Sequence, residues 1–313
     1  MNTVADVRSV TNVDGVITPT ADARVPVMDR GFLFGDSIYE VFRTYDGVPL
    51  FYEEHWRRFE NSARLIHLNI GFSRDAVTEQ IRATVRASGA AQAKRDVYVR
   101  FTVTRGDGPM DLLPSREART RLVVIVKEVP AWNPVFYSRG VNVAVVGTRR
   151  NPREALDPNI KGGNYLNNVL GVMEARAAGA DDCLMLSEAG LITEASNSNV
   201  FFVIDGRLVT PSQTAANLRG LTKAAIHEAC KANGLATHET EIDAEQARRA
   251  SECFLSSATR EVMPVYTLRM EDGTTKAFPD GGGAITRRVR GYYREHVERY
   301  VRDHAALSLF ASG

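Results

Sequence analysis

The stretch PNIKGGNYLNN, residues 158–168, sets Lys161 between an Asp-Pro-Asn turn and two adjacent glycines. A solvated lysine has no need of so bare a backbone; a reactive one has. An amine attacks a carbonyl only in its neutral form, which burial or neighbouring positive charge favours. Gly162 and Gly163 would let a flat group approach the chain closely. Taken alone, the plainer reading is a loop lysine beside a glycine turn, so the segment has to be weighed with its neighbours.

Downstream, LITEASNSNVFFV (191–203) puts Glu194 inside an apolar, strand-like run. A buried carboxylate is costly unless paired, and a protonated ring nitrogen is one good partner; the alternative is an edge-strand glutamate facing water. LRGLTKAAI (218–226) places Gly220, Leu221 and Thr222 at a helix start, and SSATREV (256–262) places Ser257, Ala258 and Thr259 at what reads as a strand-to-helix turn. The free N–H groups and dipole of a helix N-terminus favour phosphate, although each stretch is also ordinary N-cap chemistry. Upstream, Arg43 in YEVFRTY and Arg100 in YVRFTV sit on the polar side of alternating strands. Their planar forks suit either a substrate carboxylate or a structural ion pair. Arg58 lies off the Trp56–Phe59–Ala63 stripe of its helix and reads as solvated.

The elements around these stretches are α+β. SIYEVFRTY, an Asp46-Gly47 turn and VPLF form a hairpin. A helix with Trp56, Phe59, Ala63 and Ile66 at helical spacing follows, then one with Val77, Ile81 and Val85 that stops at Gly89. In DVYVRFTVT, Val97, Val99, Phe101 and Val103 share one face, and Tyr98, Arg100, Thr102 and Thr104 the other. PAWNP (130–134) opposes helix and central strand alike. The expected division is therefore a smaller N-terminal α/β domain (1–129), a linker (130–136) and a larger C-terminal domain (137–313). The latter holds a helix of about 15 residues from near Asn164, several short strands, a helix ending at Gly234, a capping box at Asp243 and Gln246, and a long amphipathic closing helix. Regular βαβ alternation is missing.

Composition narrows the classes. The chain has 313 residues, which suggests two domains; it is 44% hydrophobic and 25% charged, with a formal charge of +1. Nothing there points to nucleic acid or an acidic membrane as a partner. Cys183, Cys230 and Cys253 have no ligand spacing, so a metal site or disulfide framework is not expected and a reducing cytoplasm fits. The N-terminus has no apolar h-region, and no run approaches ~18 apolar residues. Nucleotide-loop and zinc-protease motifs do not occur.

In order, NIKGGNYLNNVLGVMEARAAGADDCLML, GLITEASNSNVFFV, LRGLTKAAI and FLSSATREVMPV resemble the class IV aminotransferases, and the likeness extends from VMDRGFLFGDSIYEVFRTYDG (27–47) to about Val265. These are fold-type IV enzymes that use pyridoxal 5′-phosphate (PLP). The resemblance implies a larger C-terminal, PLP-binding domain with a barrel-like sheet, a homodimer, and small-molecule amino donors and 2-oxo acid acceptors. It implies that Lys161 carries the cofactor covalently and shuttles the proton, that Glu194 pairs with its ring nitrogen, and that Tyr165 hydrogen-bonds near its ring oxygen. It also makes Arg58 a phosphate-binding arginine, against the solvated reading, with Leu221 and Thr222 supplying N–H groups. At the second phosphate turn the family often has threonine where this chain has Ala258, whose N–H remains, with Ser257 or Thr259 offering a hydroxyl.

For substrate the resemblance is mixed. Tyr98, Arg100 and Arg43 match branched-chain enzymes. Tyr39 and Val41 stand where those have Phe and Gly, and resemble D-amino acid and (R)-amine transaminases; RGDGPMDLLPS (105–115) lacks the arginine-x-histidine pair of typical D-amino acid enzymes. The expectation is a branched-chain-type transaminase working by a ping-pong cycle. D-amino acid or (R)-amine transamination comes next, then aminodeoxychorismate lyase or a non-catalytic homologue.

Overall fold

The computed structural model describes residues 6–115 and 117–311. The chain divides into two compact units, the first made of 1–130, 160–164 and 299–313, the second of 131–159 and 165–298.

Unit 1 is an antiparallel sheet covered by helices. Its strands are β1 (Val10–Val13), β2 (Val16–Pro19), β3 (Ser37–Tyr45), β4 (Val48–Pro49), β5 (Val97–Thr104) and β6 (Arg121–Glu128), in the spatial order β2-β1-β6-β5-β3-β4. Its helices are α1 (Arg30–Phe34), α2 (Tyr52–Leu65), α3 (Arg74–Ser88) and α4 (Ala90–Ala93). The alternation read in β5 is observed: Val97, Val99, Phe101 and Val103 are buried, and between them Tyr98, Arg100 and Thr102 are half-buried. Phe42, Phe59 and Phe101 are fully enclosed, with Phe59 and Phe101 ring centroids 5.0 Å apart. Each such side chain contributes about 2–3 kcal/mol through burial. α3 begins where Ser73 Oγ accepts the N–H of Ala76.

Two later segments belong to this unit. Residues 160–164 lie along the start of β3, with an Ile38–Gly162 bridge and Gly163 N–H donating to Ser37 O at 3.1 Å. Near the C-terminus, Leu309 N–H donates to Gly47 O at 2.8 Å. A Cβ on Gly163 would lie 2.6 Å from Ser37 Oγ. The bareness of that glycine allows close packing on β3.

Unit 2 is built on β7 (Val141–Val145), β8 (Asp182–Leu186), β9 (Ile192–Ala195), β10 (Asn199–Ile204), β11 (Arg207–Pro211), β12 (Thr237–Thr240), β13 (Glu252–Ser257), β14 (Glu261–Arg269) and β15 (Thr275–Ala277). The spatial order is β12-β11-β10-β13-β14-β7-β8-β9, with β15 on β14. Pairings are parallel at β11–β12, β14–β7 and β7–β8 and antiparallel elsewhere. The terminal strand β9 returns to touch β10 and β11, so the sheet curls into a partial barrel. Around it lie α5 (Val135–Ser138), α6 (Leu166–Ala177), α7 (Leu221–Ala232), α8 (Ala244–Arg249) and α9 (Ala284–Asp303), whose last residues belong to unit 1. α8 carries the full capping box of Asp243 and Gln246.

Two local readings are corrected. α6 starts at Leu166 and has 12 residues; ahead of it, Gly163 N–H donates to Ser37 O and Asn164 Nδ2 to Gly35 O. SSATREV is a hairpin, not a strand-to-helix turn: β13 and β14 pair antiparallel with Ser257 opposite Glu261. Ser257, Ala258 and Thr259 therefore have no helix dipole behind them.

Candidate active site

In unit 1 the peptide of Lys161 is held on both sides. Its N–H donates to Ser62 Oγ of α2 at 3.1 Å, and its carbonyl accepts the N–H of Tyr39 at 2.9 Å. Lys161 Nζ lies 4.6 Å from the centroid of the Tyr39 ring, and Arg100 Cζ lies 3.6 Å from the same centroid. Two cations thus share one aromatic ring. The β3–β5 register pairs Tyr39 with Thr102, Val41 with Arg100 and Arg43 with Tyr98. Opposed residues of an antiparallel pair point the same way, so Tyr39, Arg43, Tyr98 and Arg100 occupy one face of the sheet. Arg43 lies over Tyr45 at 4.2 Å, and Lys127 Nζ lies 5.1 Å from the Tyr98 ring.

Arg58 is not solvated. Its side chain is 11% exposed and grips Glu40 of β3 with two bonds, Nε to Oε1 and Nη2 to Oε2, both 2.7 Å. His55 Nδ1 lies 2.6 Å from Glu40 Oε2. Burial alone would raise the pKa of Glu40, but Arg58 and then His55 outweigh it and hold the carboxyl well below the usual range. Burial pushes the His55 pKa down, against the pull of Glu40 and with the push of Arg58 and Lys161. A carboxylate oxygen 2.6 Å away can only accept, so Nδ1–H donates to it. Glu40 and His55 were missed in the sequence, although a glutamate between Ile38 and Phe42 on the apolar side of β3 was a signal for a buried cation opposite.

In unit 2, Glu194 sits in β9 and is buried, so the water-facing alternative fails. Its Oε1 accepts from Arg150 Nε at 3.0 Å and Nη2 at 2.9 Å, and its Oε2 accepts the N–H of Leu218 at 3.0 Å. Arg150, two residues beyond the strand VNVAVVGT, was not singled out in the sequence. Leu218 opens the approach to α7, which starts at Gly220 without a side-chain cap. Thr222 is buried in its first turn. Lys223, also buried, ties that turn to Pro211 O at 2.9 Å and Glu239 Oε1 at 3.0 Å, and burial lowers its pKa. Asn199 joins this helix start to the β13–β14 hairpin: its Nδ2 donates to Leu218 O at 3.0 Å, and it pairs across the sheet with Ser256. A Cβ on Gly220 would fall 1.9 Å from Asn199 Oδ1, so any larger residue at that junction would displace the Asn199 amide. The hairpin turn is fixed from the side by Trp132, whose Nε1 donates to Thr259 O at 2.9 Å. Tyr165, half-buried, stands at the N-cap of α6.

An α+β chain with a curled sheet, a clamped lysine and a buried acidic residue beside an uncapped helix start has the parts of a fold-type IV enzyme. The chain belongs to the class IV aminotransferase family, PLP-dependent enzymes whose family model matches residues 37–268. It is 30% identical over 256 residues to a putative branched-chain-amino-acid aminotransferase of Methanocaldococcus jannaschii, covering 82% of this chain and 86% of that protein. It is 31% identical over 291 residues to a D-alanine aminotransferase of Listeria monocytogenes, covering 92% and 96%. The structure aligns with the PLP form of a branched-chain amino acid aminotransferase from Thermobaculum terrenum at a TM-score of 0.80 and 26% identity, over 96% of this chain and 98% of that one.

Proposed function

We propose that this aminotransferase moves an amino group between a branched-chain amino acid and a 2-oxo acid in two half-reactions. The observation that carries the reading is the clamped Lys161, with its amine over Tyr39 beside Arg100. When bound, PLP supplies the electron sink for the bond broken at the substrate Cα. By chemical type the donors in each unit suit that group: in unit 1 an amine held by its own backbone, in unit 2 a buried carboxylate for a ring nitrogen and an uncapped helix start for a phosphate. Lys161 is its covalent anchor, and its amine then moves the proton at the substrate Cα. Glu194 holds the proton of the ring nitrogen, with Arg150 and the Leu218 N–H keeping the carboxylate in place. Tyr165 hydrogen-bonds near the ring oxygen. Arg58, the N–H groups of Leu221 and Thr222, and the Ser257–Ala258–Thr259 turn bind phosphate, the turn through its N–H groups and hydroxyls alone. Arg100 and Arg43, with Tyr98 and Tyr39, meet the substrate carboxylate and side chain.

A D-amino acid reading is favoured by the D-alanine relative and by Tyr39 and Val41. Paired L- and D-amino acids and (R)- and (S)-amines, each added to the PLP-loaded protein without acceptor, separate the two by absorbance. Loss of the cofactor band with L-leucine, L-valine or L-isoleucine is expected. Response to D-alanine alone selects the second reading, and silence across the panel contradicts both.

We further infer a homodimer. Leu166, Val169, Leu170 and Met173 of α6, at i, i+3, i+4 and i+7, are 71%, 46%, 49% and 63% exposed, an apolar stripe suited to a second copy. A cytoplasmic setting is supported by Cys183, Cys230 and Cys253, all buried and unpaired. No helix among the described residues is long and apolar enough to cross a membrane.

A further inference from the structure

Glu40 is a carboxylate on the apolar face of its strand. β3 turns Ile38, Glu40 and Phe42 into the core of unit 1, and all three are 0% exposed. Its oxygens are filled by one helix: Arg58 takes both of them, fork to fork, and His55 takes Oε2. His55 and Arg58 are i and i+3 on α2 and so lie on one face. A buried ion cluster is weak evidence of a stabilising role. Apolar residues of similar volume replace buried ionic triads without loss of stability in other proteins. What the cluster does achieve is to fix the plane of a long, flexible guanidinium before any ligand arrives. Such preorganisation raises affinity by removing the cost of ordering the group on binding.

We propose that Glu40 and His55 are positioning residues that preset Arg58 as an anion-binding group and thereby set the affinity of the chain for the phosphate of PLP. The inference rests on the reading of Arg58 as a phosphate ligand. Glu40 also repels an incoming phosphate by charge, so the sign of the effect is decisive. If placement dominates, removing the carboxylate weakens phosphate binding; if repulsion dominates, removal strengthens it.

The test compares PLP with pyridoxal, which lacks the phosphate, by fluorescence titration of the cofactor-stripped full chain. Glu40→Gln should lower PLP affinity about tenfold and leave pyridoxal affinity within about twofold. His55→Leu should follow Glu40→Gln, whereas His55→Asn, which keeps a donor near the Nδ1 position, should restore the wild-type preference. Arg58→Lys tests the underlying reading separately: an unchanged PLP-to-pyridoxal ratio there refutes Arg58 as a phosphate ligand. A reduced ratio in Arg58→Lys, with an unchanged or increased ratio in Glu40→Gln and His55→Leu, overturns the positioning role alone. Pyridoxal affinity reports whether each variant is folded, and the His55 pair carries the test if Glu40→Gln is not.

Discussion

Glu40 and Glu194 are both buried strand carboxylates gripped by an arginine, yet they are built for different ends. Glu40 is sealed, with its side chain at 0% exposure and all its partners contributed by side chains of one helix. Glu194 retains 7% side-chain exposure, its arginine retains 13%, and one of its partners is the backbone of the loop that leads into α7. A sealed pair fixes other groups, whereas a pair with an open edge and a loop contact has room to meet a ligand. On the roles proposed above, burial alone does not separate a positioning carboxylate from a ligand-facing one; the origin of its partners does.

Glu40→Leu should have the largest effect on stability. It strands the Arg58 cation in the core and should cost about 3–5 kcal/mol in urea unfolding. Arg150→Met should cost less, roughly 1–3 kcal/mol, because Glu194 keeps its backbone donor and water can reach its edge. The same variant should shift the absorbance of bound PLP, which Glu40→Leu should not do if it retains cofactor. Equal stability losses in the two variants would erase the distinction drawn here.

A pH series probes the sealed cluster directly. The His55 pKa is depressed below its ordinary 6.5 by burial, so between pH 7 and 5 the unfolded chain binds a proton that the folded chain refuses. Stability must therefore fall as pH falls through that window, by up to about 1 kcal/mol per pH unit from this group. His55→Asn should flatten the slope. Glu40, depressed by Arg58 and His55 against its burial, adds a second loss that begins as pH drops below its ordinary 4.5. The smallest change expected is Ser73→Ala, which removes the α3 cap for about 1 kcal/mol and leaves PLP binding untouched. α7, without a side-chain cap, has no equivalent residue to remove.

Much of this was legible in the sequence because the signals were local. Alternation gave β5, helical spacing gave α2 and α3, and the Asp243–Gln246 pair gave α8. Lys161 and Glu194 stood out because each breaks a local pattern. The environment of Arg58 was not legible, since its partner Glu40 lies 18 positions away on a strand and no periodicity links them. Arg150 was invisible for the same reason, 44 positions from Glu194. SSATREV was misread because Ser and Thr satisfy backbone groups equally well at a helix start and in a hairpin turn. Gly163 was legible as a bare position, but its packing against Ser37 was not, because it depends on the return of the chain onto β3.

The central claim is that Lys161 is the amine that bonds to the cofactor and does the proton work. Borohydride reduction of the PLP-loaded protein, followed by peptide mass spectrometry and paired with single-turnover kinetics of Lys161→Ala, tests it most directly. The account predicts cofactor mass on the wild-type peptide containing residue 161, none in the variant, and a half-reaction slowed by at least about a thousandfold. Repeated turnover by Lys161→Ala at the wild-type rate, or cofactor mass on another lysine, would contradict it.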